Sequence, residues 1–153
     1  MPKHNIVLVS PEIPGNTGSI GRTALALNFR LILIHPLGFD LDEKKVRRAG
    51  LDYWKDVDLV EYNSWEEFLS SEGPNTDNLF FFSKTGKKVY YHQEFPQNSY
   101  LIFGSETKGL PPSFFEKYEE KMLSLPIFNK AVRSLNLSNV ATAVCFEVLR
   151  QTE

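Results

Sequence analysis

Short runs of uninterrupted apolar residues, each followed by a helical stretch, constrain this chain most. Ile6–Val9, Leu31–Ile34 and Tyr100–Phe103 carry no charged residue, and Leu79–Ser83 is apolar up to its last position. A strand with one wet face alternates; a strand covered on both faces does not have to. Leu59–Tyr62 and Met122–Leu125 read as two further strands. Between them lie helical patterns from Asn16 or Thr17, as the cap, to about Asn28, then Leu41–Ala49, Ser64 to about Ser71, and Pro111 to Tyr118. A last helix runs from about Leu137 to Arg150, with Leu137, Val140, Ala141, Val144 and Val148 on its buried face. Ser64 and Glu67 form a capping box, and Gly50 stands as a helix C′ residue. Alternating strands and helices predict an α/β fold, a mostly parallel sheet flanked by helices. No linker or repeat divides residues 1–153, so one domain is expected.

Composition excludes several classes. No apolar run approaches the roughly 20 residues that cross a membrane, and Met1–Asn5 does not begin a secretory signal. The single cysteine, Cys145, fits a reducing compartment and a core position, so a cytoplasmic location is expected. His4, His35 and His92 lack metal-ligand spacing, and no metal is expected. Net charge is −2, so nucleic acid would have to be held by local patches. Lys44, Lys45, Arg47 and Arg48 crowd one helix, and Lys84, Lys87 and Lys88 one loop; together they hold 7 of the 17 basic residues. Each group reads as a solvated surface or as a phosphate contact.

Three polar loops stand at strand ends, where open α/β sheets bind ligands. The first, Pro11 to Arg22, has Gly-x-x-Gly-x-x-Gly rather than the dinucleotide fingerprint, and His35-Pro36 stands where that fold needs an acidic residue. It reads equally as a turn before a capped helix, although Arg22 among small and apolar residues calls for a polar partner. The second, Phe103 to Pro111, has Walker spacing without its lysine, and Gly104 and Gly109 bracket the carboxylate of Glu106. It suits backbone recognition of an adenine or ribose, or a plain solvated connection. The third places Ser134, Asn136, Ser138 and Asn139 in six residues ahead of an apolar helix. One cap needs one such residue, so the surplus points to a ligand.

Taken together, Pro-x-Asn-Thr-Gly-x-x-x-Arg from Pro14, Phe-Gly-x-Glu-Thr-x-Gly-Leu-Pro from Phe103 and Arg-Ser-Leu-Asn-Leu-Ser-Asn from Arg133 resemble the SPOUT methyltransferases of the SpoU class. Arg47 to Tyr53 and the short length resemble their TrmL (YibK) subfamily, the tRNA (cytidine/uridine-34)-2′-O-methyltransferases. The resemblance runs from Asn5 to Arg150. It implies a C-terminal deep trefoil knot that binds S-adenosyl-L-methionine and releases S-adenosyl-L-homocysteine. It also implies a homodimer with each site completed across the interface, acting on the wobble ribose of leucine tRNAs. Cofactor contacts then fall on Phe82, Gly104, Glu106, Gly109, Leu125, Ser134, Leu135 and Asn139. Asn16, Arg22, Ser134 and Asn136 surround the transferred methyl, and Lys45, Arg47, Arg48, Lys87 and Lys88 meet RNA. An arginine at the Arg22 position is the family's proposed base; because a guanidinium stays protonated, the expectation here is a clamp on phosphate or developing alkoxide. Gly15 stands where the family motif has Pro, and Phe146 where some members have Tyr. The competing readings are methylation of another RNA or tRNA position, a non-catalytic RNA-binding SPOUT protein, and a nucleotide-dependent oxidoreductase, which the missing fingerprint disfavours.

Overall fold

The computed structural model describes residues 4–42 and 44–153, with positions 47 and 49–51 described by backbone alone. Seven strands form one sheet: β1 (Asn5–Val9), β2 (Arg30–Ile34), β3 (Leu59–Tyr62), β4 (Leu79–Phe82), β5 (Lys88–Val89), β6 (Tyr100–Phe103) and β7 (Met122–Ser124). Their spatial order is β3-β2-β1-β6-β4-β7-β5, and every pairing is parallel. The helices are α1 (Pro14–Leu27), α2 (Lys44–Gly50), α3 (Trp65–Glu72), α4 (Pro112–Lys117) and α5 (Leu137–Thr152).

The continuous apolar runs are explained by two cores. On one face Ile6, Leu8, Leu31 and Phe103 pack with Ile20 and Ala24 of α1 and Val144 and Val148 of α5. On the other, Val7, Ile32, Phe81 and Ile102 pack with Phe68 of α3 and Phe114 of α4. Trp65 fills that second layer, with ring centroids 4.9 Å from Phe68 and 4.6 Å from Phe114. Cys145 is wholly buried in the first core, and burial pushes its thiol pKa up.

Buried polar groups tie the layers together. Ser99 donates its backbone N–H to His4 Nδ1 at 3.1 Å. That leaves Nε2 as the protonated nitrogen, which donates to Thr152 Oγ1 at 2.9 Å and fixes the end of α5 to the start of β1. The Glu72 carboxylate accepts from Tyr62 and Arg30, and from the Tyr100 hydroxyl at 2.9 Å. Burial raises the Glu72 pKa, but these three donors outweigh it and leave it below the ordinary value. Burial and the same carboxylate push Tyr62 and Tyr100 up to about 12.

Three expectations are corrected. Neither Asn16 nor Thr17 caps α1, which starts at Pro14 behind Ile13; proline suits the first turn because its missing N–H has no helical partner to lose. Gly50 does not follow α2 but lies within it, and the chain runs on as a 3-10 turn over Leu51–Asp56. The sequence reading also lacked β5, which is two residues long and pairs only with β7. Ser64 does accept the Glu67 N–H at 3.0 Å, while the Glu67 carboxylate reaches Asn63 rather than Ser64.

Candidate active site

β1 departs toward β2 on one side, whereas its other neighbour, β6, leads back across the sheet to β4. This reversal is the switch point at which α/β sheets open a crevice. A cleft of about 580 Å³ opens beside it, beyond the ends of β4, β6 and β7, lined by parts of all three polar loops. That volume is in the range that takes a cofactor-sized ligand.

Its apolar floor comes from β4 and β6. Phe82 and Phe103 are register partners and stack, with centroids 4.7 Å apart and planes 15° from parallel. Beyond β6 the chain turns sharply: Gly109 donates to the Ser105 carbonyl at 2.9 Å, and Ser105 donates to the Gly109 carbonyl at 3.2 Å. Gly109 has φ +70°, which favours glycine. A Cβ on Gly104 would stand 2.1 Å from the Gly109 carbonyl carbon, so only glycine fits there. The spacing of the two glycines is thus a demand of the turn itself.

The Glu106 carboxylate crosses to the first loop. It accepts the backbone N–H groups of Glu12 and Ile13, each at 2.8 Å, and the Asn16 side-chain amide at 3.2 Å. It therefore braces the chain just ahead of α1 from a distant loop, and places negative charge where the helix dipole favours it. Glu12 returns the contact: its carboxylate accepts the Thr107 N–H at 3.0 Å and the Thr107 hydroxyl at 2.7 Å. These Thr107 hydrogen bonds hold the Glu12 carboxyl below its ordinary pKa. Asn16 then links to the third loop, its Oδ1 accepting from Asn136 Nδ2 at 3.2 Å. Asn136 in turn caps α5, its Oδ1 accepting the N–H groups of Ser138 at 2.9 Å and Asn139 at 3.2 Å. The chain Glu106–Asn16–Asn136 locks all three loops around one cleft.

Of the residues expected at the cofactor, Phe82, Gly104, Glu106, Gly109, Leu125, Ser134 and Leu135 line this cleft, as do Asn16 and Asn136. Glu106 does so with its oxygens already engaged in holding loops. Asn139 does not line the cleft; its side chain is exposed. Arg22 is absent from the lining and exposed, its guanidinium 5.1 Å from the centre of the Tyr53 ring. The polar partner expected for Arg22 is thus an aromatic face and solvent.

The basic residues separate as well. Lys87 pairs with Glu119 at 3.0 Å, and Lys88 donates to Gln93 at 3.2 Å. Lys45 and Arg48 are exposed on α2, while the Arg47 side chain lies outside the described residues. Sequence reading missed Lys84, Thr85 and Lys108 at the cleft, and the Glu12–Thr107 contact. Two acidic residues in two loops with matching polar neighbours were the available signal.

The donor set fits S-adenosyl-L-methionine: an aromatic and aliphatic floor for the adenine, open backbone where Gly104 forbids a side chain, and hydroxyl and amide groups at the rim. Among the described residues no cluster of three or more His, Cys, Asp or Glu could hold a metal ion. Among them, too, no helix is long and apolar enough to cross a membrane.

Known proteins resemble this chain in sequence and fold over nearly its full length. The model of the SpoU rRNA Methylase family matches residues 3–147. A tRNA (cytidine(34)-2'-O)-methyltransferase of Burkholderia ambifaria is 41% identical over 148 residues, 96% of this chain and 94% of that one. A solved structure described as giving insight into the 2-OH methylation of C/U34 on tRNA has 40% identity and a TM-score of 0.90, covering 99% of this chain and 97% of that one. The SpoU methyltransferase AviRb of Streptomyces viridochromogenes, solved in complex with AdoMet, has 27% identity and a TM-score of 0.83, covering 96% of this chain and 57% of that one. With its three loop motifs gathered at one cleft and residues 3–147 matched, this chain belongs to the SpoU rRNA methylase family.

Proposed function

We propose that this protein uses S-adenosyl-L-methionine to methylate the ribose 2′-hydroxyl of the wobble nucleotide, position 34, in tRNA. Cytidine and modified uridine of leucine isoacceptors are the proposed targets. The observation that carries the reading is the Glu106–Asn16–Asn136 linkage across a cleft with a Gly104 cradle, in a chain 40% identical over nearly its full length to a protein solved for C/U34 methylation.

When bound, S-adenosyl-L-methionine supplies a methyl group already activated by its positive sulfur. The remaining task of the protein is to align the hydroxyl, stabilise the negative charge on its oxygen as the proton passes to solvent, and keep water from competing for the methyl group. Fixed alignment can be worth about 7–11 kcal/mol. Phe82 and Phe103 present an apolar floor that keeps water out, and the linked loops keep Asn16, Ser134 and Asn136 at the rim. A C-terminal knot would give these loops their shared rigidity.

Arg22 is the remaining candidate for charge stabilisation. It does not line its own cleft and lies beside the Tyr53 ring, so its role in methyl transfer is assigned to a second copy of the chain. We therefore propose a cytoplasmic homodimer in which Arg22 of one subunit grips the substrate phosphate or alkoxide at the cleft of the other. Arg22→Ala should abolish methylation while S-adenosyl-L-homocysteine binding, read by calorimetry, stays unchanged. Equal turnover would remove Arg22 from the mechanism. The same assay run on rRNA separates the tRNA reading from the activity in the family's name.

A further inference from the structure

Between β7 and α5 the chain carries a side chain with almost no protein around it. Phe128 is 92% exposed, the largest exposure among the exposed large apolar residues. A lone Phe on a surface means little, but this one is held in place. The Asn129 carbonyl accepts the Val132 N–H at 3.1 Å, and Asn129 Oδ1 accepts the Ala131 N–H at 2.9 Å. These two bonds close a turn immediately after Phe128, so the ring is displayed by backbone geometry rather than by packing. Lys130 lies in this turn and Arg133 directly after it, both exposed and with neither in an ion pair among the described residues. The ends of the segment, Ile127 and Ser134, line the cleft.

Apolar residues stand in the same stretch, with Val132 and Leu135 about half exposed, but Asn129, Lys130 and Arg133 are interleaved with them, which sets this surface apart from a wholly apolar contact. An aromatic face beside paired positive charges suits an unpaired nucleotide: the base stacks and the phosphates meet the cations. We propose that the Phe128 turn is an RNA contact, in which Phe128 stacks on an unpaired base of the substrate loop next to the target ribose while Lys130 and Arg133 hold its backbone. This rests on the methyltransferase reading for its substrate but not for its readout. It also moves the expected RNA surface from Lys87 and Lys88, which are engaged with Glu119 and Gln93, to the rim of the cleft.

The test uses the full-length protein and total tRNA. Because Phe128 packs against so little, its variants should fold. Phe128→Ala and Phe128→Leu should each weaken tRNA binding by about 5- to 150-fold, with unchanged affinity for S-adenosyl-L-homocysteine. Phe128→Trp should retain binding, and its emission should be quenched on adding tRNA, relative to wild type. Lys130→Ala should reduce the slope of log affinity against log salt by about 1. Unchanged tRNA affinity in Phe128→Leu would overturn the proposal. So would a change in oligomeric state in Phe128→Ala with tRNA affinity per dimer intact, which would make the turn a subunit contact. If wild type methylates no RNA, the proposed reaction fails, and the quenching experiment still decides the RNA contact.

Discussion

Glu106 and Glu12 hold each other's loops: Glu106 accepts the backbone N–H of Glu12 at 2.8 Å, while the Glu12 carboxylate accepts from Thr107, one residue beyond Glu106, at 2.7 Å. The two carboxylates never face one another. Each is spent on donors from the opposite loop, which converts two flexible strand-end connections into one rigid wall. The cleft is thereby formed before any ligand arrives, which lowers the ordering cost of binding.

Glu106→Gln keeps the shape of this side chain but removes its charge and turns one acceptor into a donor. At least one of the Glu12 and Ile13 N–H groups then loses its partner. Stability should fall on the order of 1–3 kcal/mol, and S-adenosyl-L-homocysteine should bind more weakly. Thermal denaturation and calorimetry measure the two effects. Unchanged values for both would mean that the clasp does not shape the cleft.

Gly104→Ala places a methyl group within 2.1 Å of the Gly109 carbonyl carbon. Backbone cannot yield as a side-chain tip can, so the turn must open. The expected result is loss of cofactor binding at a stability cost of about 1–3 kcal/mol. Gly73→Ala is the control: its added methyl meets no neighbour but its φ is +54°, so it should lower stability without touching the cofactor.

The Glu72 cluster sets a pH dependence. The Glu72 pKa is lowered on folding, so its contribution is present above the unfolded value of about 4.5 and is lost as pH falls through the folded value. Tyr62 and Tyr100 are raised, so their contribution is present below the ordinary value of 10.0 and is lost as pH rises toward about 12. Stability measured by urea unfolding should fall at both ends. Glu72→Gln should flatten the acid limb, and Tyr100→Phe should reduce the alkaline one.

The strands were legible because burial on both faces leaves an apolar signature in four or five consecutive residues. β5 was not, since Lys88 and Val89 are only two residues at an edge and their order comes from β7. The start of α1 was misplaced for a related reason. Asn16 has the chemistry of a cap, but α1 starts at Pro14 without a side-chain cap, and its entry is braced by Glu106, 93 positions away from Ile13. The three motifs pointed to a common site, yet which basic residues are free to bind depended on partners such as Glu119 that no local pattern reveals.

Sharing of sites between subunits predicts complementation. Arg22→Ala lacks the proposed clamp, and Gly104→Ala lacks a cofactor cradle. Each alone should be inactive. Co-refolded together, they should regain part of the activity, because a mixed dimer holds one intact cleft facing one intact Arg22. No recovery, with mixed dimers demonstrated by size and tag, would place both functions in one chain.

Methyl transfer to the wobble ribose is tested directly with labelled cofactor. The wild-type protein is incubated with methyl-labelled S-adenosyl-L-methionine and unmodified total tRNA, and the labelled nucleotide is mapped. One 2′-O-methylated ribose at position 34, in leucine isoacceptors, is the expected result. Label on a base, at another position, or in no RNA at all would contradict it.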